Sequence, residues 1–314
     1  METIAAIDIG SNAIRLVIGR VDEHGDILVL KKLREPVRLG KDAFADGALS
    51  NKTIVKALDA FKKFTALLKS EGVSRYRAVG TAALREIKNR DVFVQQARAA
   101  SGLKIDVIDG MEEARLIFSA VAHRVNLRDK TALLIDIGGG SIELTVSSHG
   151  KIRATQTFKL GAVRLLQLME DRGWKERQLR EHLGRAMADV QSFLTDAIRG
   201  EELDLCVGTG GNFECLGKLR VALLHRNSIF SMTRDELGQL VEHLLGMSVK
   251  ERIQFLRLRP DRADVVVPAA MVTQEVMRMA RAEVLFVPYV GLRDGIMAEI
   301  AEGRSEATAT SVVR

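Results

Sequence analysis

The sequence predicts an α/β protein built from two duplicated domains, and three observations predict it. The chain has 314 residues, which at about 150 residues per domain leaves room for two cores. The run Ile7-Asp8-Ile9-Gly10-Ser11-Asn12-Ala13-Ile14-Arg15-Leu16 returns as Ile135-Asp136-Ile137-Gly138-Gly139-Gly140-Ser141-Ile142-Glu143-Leu144, six of ten positions being identical at an offset of 128. Strand-like and helix-like segments alternate on both sides of residues 126–130, the pattern of α/β layers. Val79-Gly80-Thr81 and Val207-Gly208-Thr209 share the offset of 128, so the repeat spans a block and marks duplication.

Each copy opens with apolar residues, breaks at Asp-Ile-Gly and resumes with β-branched alternation, which reads as two strands joined by a tight turn. Further strands are expected near 27–34, 75–79, 104–108, 151–158, 203–207 and 284–287. The clearest helix follows Ser50 as N-cap, with Ile54, Leu58, Phe61 and Leu68 on one face. Others are expected over 89–100, 111–124, 161–170, 176–198, 233–245, 264–281 and 292–301, with a frayed tail after Glu302.

Composition removes several function classes. Hydrophobic residues make up 46% and charged residues 28%, with 4 Pro, which excludes wholesale disorder and collagen-like repeats. No uncharged apolar run approaches the roughly 20 residues that cross a bilayer, and no basic segment precedes the first strand. Cys206 and Cys215 form neither a disulfide framework nor a zinc knuckle, and the 6 His are scattered singly. A reduced, cytoplasmic setting without zinc, haem or membrane contact is the expectation. The net charge is +6, and residues 52–98 carry 11 basic against 4 acidic side chains, a patch suited to a polyanion or simply a solvated helix face. Only 14 of the residues are Phe, Trp or Tyr, too few for a base-stacking platform, so no specific nucleic-acid partner is expected.

The glycine turns carry the chemistry. Successive N–H groups of such a turn can converge on one anion, and Gly138-Gly139-Gly140-Ser141 places no side chain but the Ser141 hydroxyl between backbone and ligand. Gly10-Ser11-Asn12 offers two side-chain donors instead; an ordinary hairpin turn is the plainer reading of either segment taken alone. Asp8 and Asp136 would repel a phosphate unless a divalent cation such as Mg²⁺ intervenes, with Glu143 sharing it, or unless the acids orient water or merely stabilise their turns. Gly80-Thr81 and Gly208-Thr209-Gly210-Gly211 follow expected strands and could each aim a helix N-terminus at phosphate. Arg85 adds a planar cation suited to bidentate phosphate contact. Glu112 and Glu113 open a helix, where acids complement the dipole in any case; one of them could also activate a water attacking phosphorus.

Two Asp-x-Gly hairpins of this kind resemble the ribonuclease H-like superfold of actin, the sugar kinases and the heat-shock ATPases, in which a polyphosphate lies in a cleft between domains. Narrower motifs are D-I-G-S-N-A-I-R-L (8–16), V-G-T-A-A-L-R (79–85), I-D-G-M-E-E-A-R-L-I (108–117) and I-D-I-G-G-G-S-I-E-L (135–144), then L-G-A-V-R-L (160–165), G-T-G-G-N (208–212), R-P-D-R-A-D-V (259–265) and G-L-R-D-G-I (291–296). In order, they resemble the exopolyphosphatase and guanosine pentaphosphate phosphohydrolase family in its short, two-domain form. The resemblance implies domains at 1–126, rejoined by a C-terminal helix at 292–314, and at 127–291. It implies Mg²⁺-dependent release of terminal phosphate from inorganic polyphosphate or guanosine pentaphosphate, often by a homodimer. Glu113 would be the general base, and Asp136 and Glu143, with Asp8, would organise metal and water. Gly138, Gly139, Gly140 and Ser141 would cradle the scissile phosphate, with Gly208, Thr209, Gly210 and Gly211 as further phosphate contacts. Gly10, Ser11, Asn12 and Arg85 would hold the phosphate from the first domain.

Three departures bear on this. Ala13 and Asp109 stand where the family usually has serine, and Val265 to Ala270 replace a glycine-containing helix start. The first two also open a reading of another class, a nucleotide-binding sensor that does not turn over.

Overall fold

The computed structural model of the chain describes residues 1–303 and the backbone of Thr308 and Ala309. The chain divides into two compact units: Met1–Ala120 resumed from Leu292 onward, and Val121–Gly291. The division falls within the helix Gly110–Ala122 rather than in the loop near residue 126.

The first unit is organised around strands β1 (Glu2–Ile9), β2 (Ile14–Val21), β3 (Ile27–Glu35), β4 (Arg75–Gly80) and β5 (Ile105–Val107). β1 is central: it pairs antiparallel with β2 and parallel with β4, while β2 continues antiparallel to β3 and β4 parallel to β5. Hairpins close the antiparallel pairs. The parallel steps need crossovers, and the helices Asn51–Ser70 and Arg90–Ser101 supply them. Both faces of the sheet are covered. Ala5, Ile7 and Ile9 of β1 join a core with Phe61, Phe64 and Phe93, while Ile4 and Ala6 point the other way onto Leu116, Ile296 and Ile300.

The second unit repeats this plan with β6 (Thr131–Ile137), β7 (Ile142–Ser148), β8 (Lys151–Phe158), β9 (Leu205–Thr209), β10 (Ser231–Thr233) and β11 (Val284–Phe286). The order β8-β7-β6-β9-β11 has the same parallel and antiparallel senses as β3-β2-β1-β4-β5, and β10 extends it at the edge. The duplication is therefore one of topology as well as sequence. It is not residue for residue: Ile9 lies opposite Gly80, whereas Gly208 lies opposite Ile135, so β9 has slipped by two residues against its hairpin. A slip of two leaves every side chain on its face, which is why the fold tolerates it.

Four expectations are revised. The helix expected over 176–198 is two, Glu176–Ala186 and Ala188–Ile198, broken at Met187 just after Gly184, a residue that weakens a helix interior. The helix expected over 292–301 is present as Leu292–Ala301, shorter than the 292–314 that the family resemblance implied. Thr308–Ala309 instead form a strand, β12, antiparallel to β4; the rest of the expected frayed tail lies outside the described residues. The departure at 265–270 is a core feature: Val266 to Met271 begin the buried helix Val266–Met279, whose Pro268 sits in the first turn, where its missing N–H breaks no helical bond.

Candidate functional site

The two repeated turns are built alike. Gly10 N–H donates to Ala13 O at 3.2 Å and Gly138 N–H to Ser141 O at 3.0 Å, closing a tight turn at the end of each hairpin. Neither Gly10 nor Gly138 adopts a positive φ, so the reason for glycine is different from the expected backbone freedom. A helix packs behind each turn and takes up its carbonyls. In the second unit Ala162 N–H donates to Gly138 O at 3.0 Å, Val163 and Arg164 N–H to Gly139 O at 2.8 and 3.0 Å, and the Arg164 Nε–H to Gly140 O at 2.9 Å. A peptide's C=O and N–H point in opposite directions. With three carbonyls drawn toward the helix Ala162–Arg172, the N–H groups of Gly139, Gly140 and Ser141 face the other way, as an anion cradle needs. In the first unit Gly40 N–H donates to Ser11 O at 2.7 Å and Arg38 N–H to Asn12 O at 3.3 Å, which turns the amides of Asn12 and Ala13 outward in the same manner.

The residues that permit this approach, Gly161 and Gly40, lie outside the candidate site residues that the sequence suggests. A Cβ on Gly161 would lie 2.5 Å from the Gly139 carbonyl carbon and closer still to Gly140 C and Ser141 N; one on Gly40 would lie 2.9 Å from Ser11 Cβ. The available signal was the Leu160-Gly161 pair heading a helix, a feature that by itself resembles any helix start.

The acids of the two copies differ. Asp8 lies opposite Arg15 across β1 and β2 and makes a 2.9 Å ion pair with it. At the equivalent place Asp136 lies opposite Glu143, putting two carboxylates side by side on one face. Asp136 Oδ1 accepts from Thr209 Oγ at 2.6 Å, and Glu143 Oε1 accepts from Ser141 Oγ at 2.6 Å. The donor set that suits a hard divalent cation is thus Asp136 with Glu143, while the Asp8 carboxylate is engaged by a guanidinium. Among the described residues no group of three or more His, Cys, Asp or Glu side chains is placed to hold a metal ion, so such a cation would keep much of its water.

The end of β9 and the segment that follows it divide their expected tasks. Gly208 makes room for the Phe213 ring, and the Thr209 hydroxyl is directed to Asp136. Gly210, at φ 82°, takes a conformation that side chains disfavour, and its N–H donates to Val290 O at 3.1 Å. Asn212 and Arg262 join behind them: Asn212 Nδ2 donates to Ile137 O at 2.6 Å, and Arg262 Nη1 donates to Asn212 Oδ1. This buried chain ties the loop to the end of β6.

In the first unit, Glu113 lies in the opening turn of the helix Gly110–Ala122 and is 7% exposed. Arg85, expected on phosphate, makes a 2.8 Å ion pair with Glu113 and a 3.1 Å hydrogen bond to Ile108 O. Asp109 accepts the Glu112 N–H at 2.8 Å and so caps this helix, the duty that a serine there would perform. The extra charge is thereby used locally. Other cations of the 52–98 stretch are also partnered: Arg75 by Glu2, Arg77 by Asp106, Glu112 and Glu299, and Lys63 by Glu35. The lysines of Asn51–Ser70 lie on its exposed face.

Fold and site together define a two-unit α/β protein in which each unit carries a hairpin ending in a glycine turn. The model of the Ppx/GppA phosphatase family matches residues 17–303, and the chain belongs to that family. It is 29% identical over 300 residues to the guanosine-5'-triphosphate,3'-diphosphate pyrophosphatase of Photobacterium profundum, covering 94% of this chain but 59% of that protein. It is 28% identical over 317 residues to exopolyphosphatase 2 of Mycobacterium tuberculosis, covering 95% and 98% of the two chains. The fold is shared with the crystal structure of an exopolyphosphatase from Cytophaga hutchinsonii, at TM-score 0.86 and 24% identity over 97% of this chain and 99% of that one. It is shared also with the Aquifex aeolicus family member, at TM-score 0.74 and 22% identity over 97% and 99%.

Proposed function

We propose that this chain hydrolyses the terminal phosphoanhydride bond of inorganic polyphosphate, with Glu113 as general base. The observation that carries the proposal is the outward set of three amides at Gly139, Gly140 and Ser141 beside the Asp136–Glu143 acid pair. Main-chain donors of this kind stabilise charge as it develops on a transferring phosphoryl group without having to reorganise. Asp136 and Glu143 would hold a hard divalent cation such as Mg²⁺, which when bound supplies further neutralisation of phosphate charge. Arg85 fixes the Glu113 carboxylate through its 2.8 Å contact, so the base that must accept the proton of the attacking water has a defined position. Polyphosphate is favoured because the relative of matching length is named an exopolyphosphatase.

Guanosine pentaphosphate is the second reading, favoured by the name of the Photobacterium profundum relative. Part of the motive for a non-hydrolysing sensor falls away once Asp109 is recognised as a helix cap. Two reduced cysteines agree with a cytoplasmic setting, and homodimerisation follows from the family resemblance. No helix of the described residues is long and apolar enough to cross a membrane.

Phosphate release from polyphosphate of defined lengths and from guanosine pentaphosphate, with and without Mg²⁺, tests the reading. Glu113→Gln is expected to lower kcat by about 10²–10⁴-fold with the fold intact. Wild-type turnover in that variant would remove Glu113 from the mechanism.

A further inference from the structure

Glu112 and Glu113 are adjacent on a helix with 3.6 residues per turn, so they face different neighbours. Glu113 meets Arg85. Glu112 enters a separate network that the activity does not use directly. Arg115, three residues on, donates Nε to Glu112 Oε2 at 2.7 Å and Nη2 to Glu112 Oε1 at 2.9 Å. Arg77, on β4, reaches Glu112 Oε1 at 3.2 Å and Asp106 Oδ2 at 2.9 Å. Both arginines then converge on Glu299: Arg77 Nη1 lies 3.3 Å from its Oε2, and Arg115 Nη1 donates to its Oε1.

Glu299 belongs to the helix Leu292–Ala301, is 4% exposed, and returns to this unit from 184 residues along the chain. The two helices meet at close quarters, since a Cβ on Gly295 would overlap the carbonyl oxygen of Leu116. The Arg115 guanidinium holds the Glu112 carboxyl below its ordinary range, with Arg77 adding to the effect, so Glu112 remains charged and clamped at neutral pH.

We infer that Glu299 is a positioning residue for the hydrolysis: it fixes Arg77 and Arg115, these fix Glu112, and the helical turn that carries Glu112 carries Glu113. The inference rests on the assignment of Glu113 as the base. A clamp is needed at this point because the first turn of a helix lacks intrahelical partners for its leading N–H groups and frays readily. A displacement of about 1 Å in a reacting group costs on the order of 10²-fold in rate. Asp109 caps the turn from in front, and the Glu299 network holds it from the side.

The test is steady-state phosphate release by the full chain carrying Glu299→Gln, with Glu112→Gln in parallel because Glu112 is partly exposed and its loss perturbs folding less. Each variant is expected to lower kcat by about 10- to 100-fold, with KM within about threefold of wild type. Glu299→Asp, which retains the charge, is expected to recover part of the lost kcat. Wild-type kcat in both glutamine variants would overturn the inference. So would a loss of kcat accompanied by a proportional rise in KM and a collapsed melting transition, the mark of a merely structural role. If instead Glu113→Gln itself turns over normally, the base assignment fails, and that result is distinct from failure of the clamp.

Discussion

The sharpest test of the cradle is Gly161→Ala. The added methyl would sit 2.5 Å from Gly139 C and closer to Gly140 C and Ser141 N, all main-chain atoms that cannot rotate away. Ordinary van der Waals contact begins near 3.4 Å, so the helix Ala162–Arg172 and the glycine turn must separate by about 1 Å. Such a separation lengthens the hydrogen bonds from Ala162, Val163 and Arg164 that turn the carbonyls of Gly138 and Gly139 inward. The amides on the opposite side lose their aim with them. Overpacking of this kind costs about 1–3 kcal/mol in stability. A misplacement of about 1 Å at the reacting centre costs roughly 10²-fold in kcat. Phosphate release from polyphosphate, measured beside urea unfolding, separates the two effects. Gly184→Ala is the control, because a Cβ there meets nothing within 4 Å and the helix should gain up to about 1 kcal/mol. If Gly161→Ala folds and retains wild-type kcat, the idea that this helix aims the amides is wrong.

Two further outcomes concern stability. Arg252 is fully buried, pairs with both oxygens of Glu176 at 2.7 and 2.8 Å, and donates to the carbonyls of Leu244 and Ala263. Arg252→Met should cost about 3–5 kcal/mol and lower the melting midpoint by about 6–20 °C, as calorimetry would show. Acid sensitivity should come from carboxylates held low by arginines: Glu2 by Arg75, down to about 2, and Glu236 by Arg220. Because their folded pKa values lie below the ordinary 4.5, their stabilisation is complete above that pH and fades as pH falls, for Glu2 between 4.5 and about 2. Urea midpoints between pH 6 and 3 should therefore fall less steeply in Glu236→Gln than in wild type, and equal slopes would contradict this.

Much of the architecture was legible in the sequence because its signals are local. Alternation of period two and a glycine between β-branched runs specify a hairpin wherever they occur, so β1 with β2 and β6 with β7 could be placed by inspection. The offset of 128 exposed the duplication for the same reason, although it could not reveal the slip of β9, since strand register is set by partners distant in sequence. The glycine turns and the acid at the head of each are visible in the sequence for the same reason.

What the tertiary structure alone decided is which way these groups face and with whom they pair. Nothing in the spacing of Asp8, Gly10 and Arg15 distinguishes an ion pair from a cation site, and the answer differs between the copies because Glu143 replaces Arg15. Arg85 reaches Glu113 only because β4 and β5 set their following segments side by side. Gly161 matters through a backbone it touches but does not adjoin, and Glu299 through arginines that folding brings to it. Hairpins form by contacts a few residues apart, so sequence pattern determines them. Carboxylate partners and amide directions are settled by packing across the whole unit, where one displaced helix changes every answer.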